Sequence, residues 1–168
     1  MKIVTYVGKD IKMNCTFNVI TQKQAEDIAN WHYDENYSFY DMEADPEDLE
    51  EFLDPLQRGE SVFAVTIENE LMGFLTIQQF TEKNIIDIGL GMRPDFTGKG
   101  MGKEFLKKCV EFILKNYGPE RITLSVATFN QRAIKVYKRF GFRDQEIFIQ
   151  HTNGGEYEFL RMEYECNV

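Results

Sequence analysis

Cysteine, proline, histidine and tryptophan are all scarce here: three, four, two and one in 168 residues. The cysteines, at 15, 109 and 166, are odd in number and show no metal-type spacing, which argues against a disulfide framework and points to reduced thiols in the cytoplasm. His32 and His151 stand far apart in sequence, so no metal is expected. No stretch approaches the roughly 20 apolar residues of a membrane span, and the apolar run in Met1–Asp10 is too short for a signal peptide. Positive charge is outweighed, with 19 Lys and Arg against 28 Asp and Glu for a net −9, so a sequence-independent grip on nucleic acid is not expected. There is no repeat, low-complexity tract or Pro/Gly/Ser linker, and the chain reads as one domain over 1–168.

What is present is a globular composition, 43% apolar and 14% aromatic. Short strands are expected over 1–7 and 13–20, then a helix over 22–33 capped by Thr21. From Asp34 to Asp54 run ten acidic residues without a Lys or Arg, interleaved with Tyr37, Phe39 and Tyr40; Asp45-Pro46 opens a short helix within that tract. Apolar, β-branched runs over 61–68, 71–80 and 84–92 suggest an antiparallel meander. Residues 100–116 carry Met101, Phe105, Cys109 and Ile113 at helical spacing, widened by Leu106, Val110 and Leu114. A strand over 121–127, a helix from Asn130 to Phe140, and two strands flanking Asn153-Gly154 complete the pattern. The fold class is α/β (α+β): a mixed, mostly antiparallel sheet with helices on both faces and a parallel strand-helix-strand unit across 84–127.

Inside that unit, Arg93-Pro-Asp-Phe-Thr-Gly-Lys-Gly-Met-Gly-Lys103 places glycines at 98, 100 and 102, where a helix should begin. Glycine is the poorest helix former after proline, so something must require it. A P-loop fails, because Thr97 stands where its first glycine belongs and Glu104 where its hydroxyl residue belongs; a dinucleotide fingerprint fails at Lys103, or at Pro94 if begun at Gly89. What survives is their shared physics: a strand turning through glycines into a helix leaves unpaired N–H groups and a positive dipole end aimed at one point. Lys99 and Lys103 add positive charge, and the loop suits a pyrophosphate, although the glycines could equally serve a tight turn alone.

Two segments together resemble the GNAT superfamily of acyl-CoA-dependent N-acetyltransferases. The family signature Gln/Arg-x-x-Gly-x-Gly/Ala aligns with Thr97–Gly102, and Asn130-Gln-Arg-Ala-Ile-Lys-Val-Tyr-Lys-Arg-Phe-Gly-Phe142 is similar to its Asn-x-x-Ala-x-x-x-Tyr-x-x-x-Gly-Phe ending. The likeness covers residues 60–165; Thr97 departs from the usual Gln or Arg. It implies acetyl-CoA as acyl donor and an amine as acceptor, and leaves a homodimer open. The backbone of Leu90, Gly91 and Met92 would bond the pantetheine arm like an added strand. The amides of Gly98, Lys99, Gly100, Met101, Gly102 and Lys103 would hold the pyrophosphate, and Asn130 could orient the cofactor or simply cap its helix. Alternation puts Asp87, Gly89 and Gly91 on one face of their strand, nearly bare of side chains, where a ligand could lie or a helix could pack.

In that reading an amine attacks the acetyl carbonyl directly. Tyr137, the motif tyrosine, would be the acid at the departing sulfur, an amide near Met92 would face the oxyanion, and Asp87 is the candidate base, acting directly or through water. The glutamate that ribosomal-protein-type relatives carry five residues before the motif asparagine is Ser125 here. Cys109, on the buried stripe, is no nucleophile. The aromatic and acidic segment from Trp31 to Glu43 suits a cationic acceptor, such as a small amine, polyamine, amino-sugar or peptide lysine, or is a solvated acidic loop with its rings pinned to the core. Thr97 and Ser125 keep a second reading open, a non-catalytic acyl-CoA-binding module.

Overall fold

The computed structural model describes residues 14–166 and the backbone of residues 6–7 and 10–11. Most of the strand expected over 1–7 lies outside the described residues; Tyr6–Val7 (β1) pairs antiparallel with Asp10–Ile11 (β2) as a separate ribbon. The main sheet has seven strands: Cys15–Val19 (β3), Val62–Ile67 (β4), Glu70–Phe80 (β5), Ile85–Met92 (β6), Arg121–Ala127 (β7), Arg143–Thr152 (β8) and Gly155–Glu165 (β9). Their spatial order is β3-β4-β5-β6-β7-β9-β8. Only β6 and β7 are parallel, and Gly102–Asn116 (α4) connects them, as the sequence pattern requires.

Alternation along β4 sets up two cores. Val62 and Ala64 face one side and join Ile20, Ala25, Ile28 and Phe52, the last four lying in or beside helices Gln22–Ala29 (α1) and Pro46–Leu53 (α2). Phe63 and Val65 face the other side, where Phe105, Leu106, Cys109, Val110 and Ile113 of α4 and Ile134 of Gln131–Phe140 (α5) cover the sheet. Helices therefore protect both faces. Cys109 is fully buried, and burial pushes its thiol well above the ordinary range. On α4's wet side Lys108 pairs with Glu111 at 3.7 Å.

Two boundaries differ from the sequence reading, each for a local reason. α1 stops at Ala29 because Asn30 folds back, its amide on the Asp27 carbonyl and its side chain on the Glu26 carbonyl. α4 begins at Gly102, two residues late, because Gly98 and Gly100 have φ of +72° and +74°, values no right-handed helix admits. Where the sequence signals are local they hold. Thr21 and Gln24 form a capping box, Asp45 caps α2 ahead of Pro46, and Asn153 and Gly154, both at positive φ, turn β8 into β9. A short helix, Pro55–Arg58 (α3), follows α2; its buried Arg58 donates to the Phe52 carbonyl at 2.6 Å and to Gln22 at 3.0 Å.

Candidate active site

The parallel pairing of β6 with β7 runs only from Ile85–Arg121 to Ile88–Leu124. Beyond it both strands continue, β6 held by β5 as far as Met92 and β7 held by β9 as far as Ala127. A wedge thus opens between 89–92 and 125–127. The Arg93 amide donates to the Met72 carbonyl at 2.7 Å, which fixes the phase of β6. By alternation, the backbone groups of Gly89 and Gly91 turn to β5, while those of Leu90 and Met92 turn to the wedge. The Met92 carbonyl is capped there by the Tyr33 hydroxyl at 2.7 Å. The nearly bare face of β6 is filled from its own sheet: a Cβ on Gly91 would sit 2.1 Å from Phe74 Cε1, and one on Gly89 would sit 2.4 Å from Thr76 Oγ1. Phe74 crosses Gly91 to reach Trp31 and Phe52, so these glycines make room for the second core.

After Met92 the chain is pinned before it turns. Arg93 grips Asp95 with Nε at 2.6 Å and Nη2 at 2.9 Å, reaches Glu70 at 2.9 Å and the Leu71 carbonyl at 3.1 Å, and lies 4.5 Å over the Phe96 ring. This pairing holds the Asp95 carboxyl below its ordinary range and raises the Arg93 guanidinium further. Thr97 Oγ1 donates to the Pro94 carbonyl at 2.6 Å, closing the turn with its own short side chain. The first helical bond of α4 runs from the Phe105 amide to the Met101 carbonyl, and no side chain caps the helix. Among the described residues the seven amides from Gly98 to Glu104 find no protein acceptor. Lys99 and Lys103 are exposed beside them, while Met101 buries its side chain and offers only backbone. Orphan donors at the positive end of a 15-residue helix form an arrangement able to seat an anion.

Tyr137 lies on α5, half-buried, its ring edge-to-face with Phe142 at 5.9 Å. Its hydroxyl has no hydrogen-bond partner among the described residues. Burial first, then the neighbouring Tyr40 and Cys109, raises its pKa, so the phenol stays protonated. Asn130 caps α5 by accepting from the Ala133 amide at 3.1 Å, and its Nδ2 donates to Tyr40 Oη at 3.2 Å. Asn130 is thereby committed to protein contacts, and through Tyr40 it helps shape the surroundings of Tyr137. Asp87 is half-buried and accepts from Thr123 Oγ1 at 2.7 Å; desolvation raises its pKa, opposed by that hydrogen bond and by Arg161. Ser125 is exposed on β7.

The acidic, aromatic tract is docked rather than loose. Asp45 Oδ2 accepts from Thr152 Oγ1 and from the Asn153 amide, both at 3.0 Å, and Asn153 Nδ2 donates to the Phe39 carbonyl at 2.8 Å. Phe39 packs edge-on against Tyr40, Phe129 and Tyr157. Its rings are pinned, then, while Asp34, Glu35 and Glu43 stay exposed. Folding also gathers His32, Asp41 and Glu43, with His32 Nδ1 3.1 Å from Asp41 and 3.5 Å from Glu43. Their spacing in the sequence carries no metal-type signal; the hydrogen bond to Asp41, then the charge of Glu43, raises the imidazole pKa, as an ion pair does. Between this segment and the glycine loop lies a cavity of about 370 Å³, lined by Tyr33, Asp34, Tyr37, Thr97, Lys99 and Arg132 among others. No helix among the described residues is long and apolar enough to cross a membrane.

A splayed parallel pair beside an uncapped, glycine-led helix leaves an open wedge with unpaired backbone donors at its mouth. The model of the acetyltransferase (GNAT) family matches residues 25–142, and the chain belongs to that family. It is 24% identical over 138 residues to an N-alpha-acetyltransferase of Sulfolobus acidocaldarius, covering 75% of this chain and 76% of that protein. Over 48 residues it is 42% identical to the spermine/spermidine N(1)-acetyltransferase of Bacillus subtilis, covering 29% of this chain and 32% of the relative. The match to an N-acetyltransferase of Methanocaldococcus jannaschii likewise spans only 43% of that relative's length. Among solved structures, the spermidine N-acetyltransferase of Vibrio cholerae in complex with CoA and spermine superposes with a TM-score of 0.71 at 18% identity, over 90% of this chain and 95% of that one.

Proposed function

We propose that this chain transfers an acetyl group from acetyl-CoA to a primary amine by direct attack, in the cytoplasm, where its cysteines at 15, 109 and 166 stand as free thiols. The observation that carries the reading is the row of seven orphan amides from Gly98 to Glu104 at the mouth of the β6–β7 wedge. The site fits the cofactor's chemistry: amides and two lysines for the pyrophosphate, and the wedge-facing backbone of Leu90 and Met92 for an arm that carries amides of its own. Bound acetyl-CoA would supply a reactive thioester.

The chain's residues supply position and proton traffic. The Met92 amide, on the wedge side, faces the oxyanion, where a fixed donor stabilises developing charge. Tyr137, neutral and without another partner, offers its O–H to the departing sulfur. Burial keeps the Tyr137 phenol neutral, so it can give its proton to the sulfur as the C–S bond breaks and regain one from the attacking nitrogen as the tetrahedral intermediate collapses. Asp87 lies three residues before Leu90, about 10 Å along the strand, so it draws the ammonium proton through water. Its raised pKa makes it a better base than a solvated carboxylate. The exposed carboxylates at 34, 35 and 43 favour a cationic amine, the chemistry named for the Bacillus and Vibrio relatives.

The test is a thermal-shift titration with acetyl-CoA, followed by free-thiol release across a panel of polyamines, amino-sugars and lysine peptides. Thiol release with one amine class supports the reading. Stabilisation by acetyl-CoA with no release for any amine would assign the chain to a non-catalytic acyl-CoA-binding role.

A further inference from the structure

Family members usually carry a Gln or Arg at the position of Thr97, whose hydroxyl here is turned back onto the Pro94 carbonyl. The space beside the loop is reached instead from another element. Arg132, the second residue of α5, is exposed, and its Nη1 would lie 3.5 Å from a Cβ built on Gly98. Its guanidinium lies 4.3 Å over the ring of Tyr37, which is half-buried and tilts against Phe129 at 6.3 Å. Arg93, Arg121 and Arg161 are each paired with a carboxylate. Arg132 has no such partner among the described residues; Asp95, which shares its cavity, is already held by Arg93. A cation stacked on a ring is held in place without being neutralised, so its N–H fork remains available to an anion.

We propose that Arg132 is the side-chain ligand for the pyrophosphate of the acyl donor, supplying from α5 the long polar group that residue 97 lacks. This rests on the reading of the 98–103 loop as the pyrophosphate seat. Tyr37 is a positioning residue: its ring holds the guanidinium beside Gly98, so the early segment and the loop meet on one side chain. Arginine suits this task because its planar fork matches phosphate oxygens two at a time, where Lys99 and Lys103 act as point charges.

The test is calorimetric titration of the parent, Arg132→Ala and Arg132→Lys with coenzyme A, dephospho-coenzyme A (which lacks the 3′-phosphate) and pantetheine (which has no phosphate). Arg132 is exposed, so the variants should fold; thermal unfolding without ligand checks this. Arg132→Ala should weaken coenzyme A and dephospho-coenzyme A alike, by about tenfold to a hundredfold, the worth of a charge-assisted hydrogen-bonded pair, and leave pantetheine unchanged. Arg132→Lys should fall between. If the parent prefers coenzyme A to pantetheine and Arg132→Ala keeps that preference in full, the loop reading stands and the Arg132 proposal is overturned. A loss confined to coenzyme A and absent with dephospho-coenzyme A also overturns it, because the contact would then be with the 3′-phosphate. A parent that binds pantetheine as tightly as coenzyme A refutes the loop reading itself.

Discussion

Adding one methyl group to the glycine loop, at either of two positions two residues apart, should have opposite effects. Gly100 has φ +74°, and a Cβ there would meet nothing within 4 Å. Space is not its constraint; conformation is. An alanine held in the left-handed region costs about 1–2 kcal/mol, which in a chain of this size lowers the melting temperature by about 2–8 °C. If the backbone relaxes to escape the strain, the amides around residue 100 rotate away from their common focus, and coenzyme A affinity should fall about tenfold, the equivalent of 1.4 kcal/mol. Gly102 is different. It is absent from the positive-φ residues, it opens α4, and a Cβ there would touch only Val136 Cγ2 at an ordinary 3.9 Å. Among the described residues nothing demands glycine at 102, so Gly102→Ala should gain up to about 1 kcal/mol of helix stability, or about 2–4 °C. Its coenzyme A affinity should stay within about threefold of the parent, well under the 1.4 kcal/mol that a tenfold change represents. The assays are thermal unfolding without ligand and calorimetric titration with coenzyme A. Equal losses of stability and affinity in the two variants would refute the reasoning, since the methyl itself rather than the backbone angle would then be at fault.

Tyr137→Phe should bind coenzyme A as the parent does and release thiol about a hundredfold more slowly, within the range for loss of a general acid; unchanged turnover would remove Tyr137 from the chemistry. Asp87 binds a proton more readily when folded than when unfolded, so its carboxylate penalises the fold above its raised folded pKa, and that penalty fades as pH falls towards the ordinary 3.8. Asp87→Asn, still able to accept from Thr123, should therefore be as stable as the parent or more stable at neutral pH yet acetylate poorly. In the parent the rate itself should fall as pH drops through the Asp87 pKa, which a pH–rate profile and a urea titration together would check. Arg58→Leu should cost about 2–3 kcal/mol in urea unfolding, because the Phe52 carbonyl loses a charge-assisted donor in a buried setting.

The features legible in the sequence were those made by neighbours along the chain. Asn153-Gly154 turned as expected, the Phe105–Ile113 stripe went inward, and the glycines at 98 and 100 marked a turn that only left-handed backbone can make. The site's bracing was illegible because its partners are far apart in sequence. Tyr33 meets Met92 across 59 positions, Asp45 meets Asn153 across 108, and Arg93 reaches back to Glu70 and Leu71. Gly91 was ambiguous for a different reason. Alternation shows that a face is bare but not what will cover it, and the answer, Phe74, comes from the adjacent strand. Arg132 sat in plain view inside the Asn130–Phe142 motif, but only the fold shows that the glycine loop lies within its reach.

The opening between β6 and β7 also bears on how such proteins diverge. A guest that completes a sheet is recognised by peptide groups, and every amino acid except proline carries the same ones. On the proposed function, side chains along that border could drift without weakening the grip. On the proposed function the acceptor side would have no such protection, because discrimination there would rest on particular side chains such as the exposed carboxylates at 34, 35 and 43.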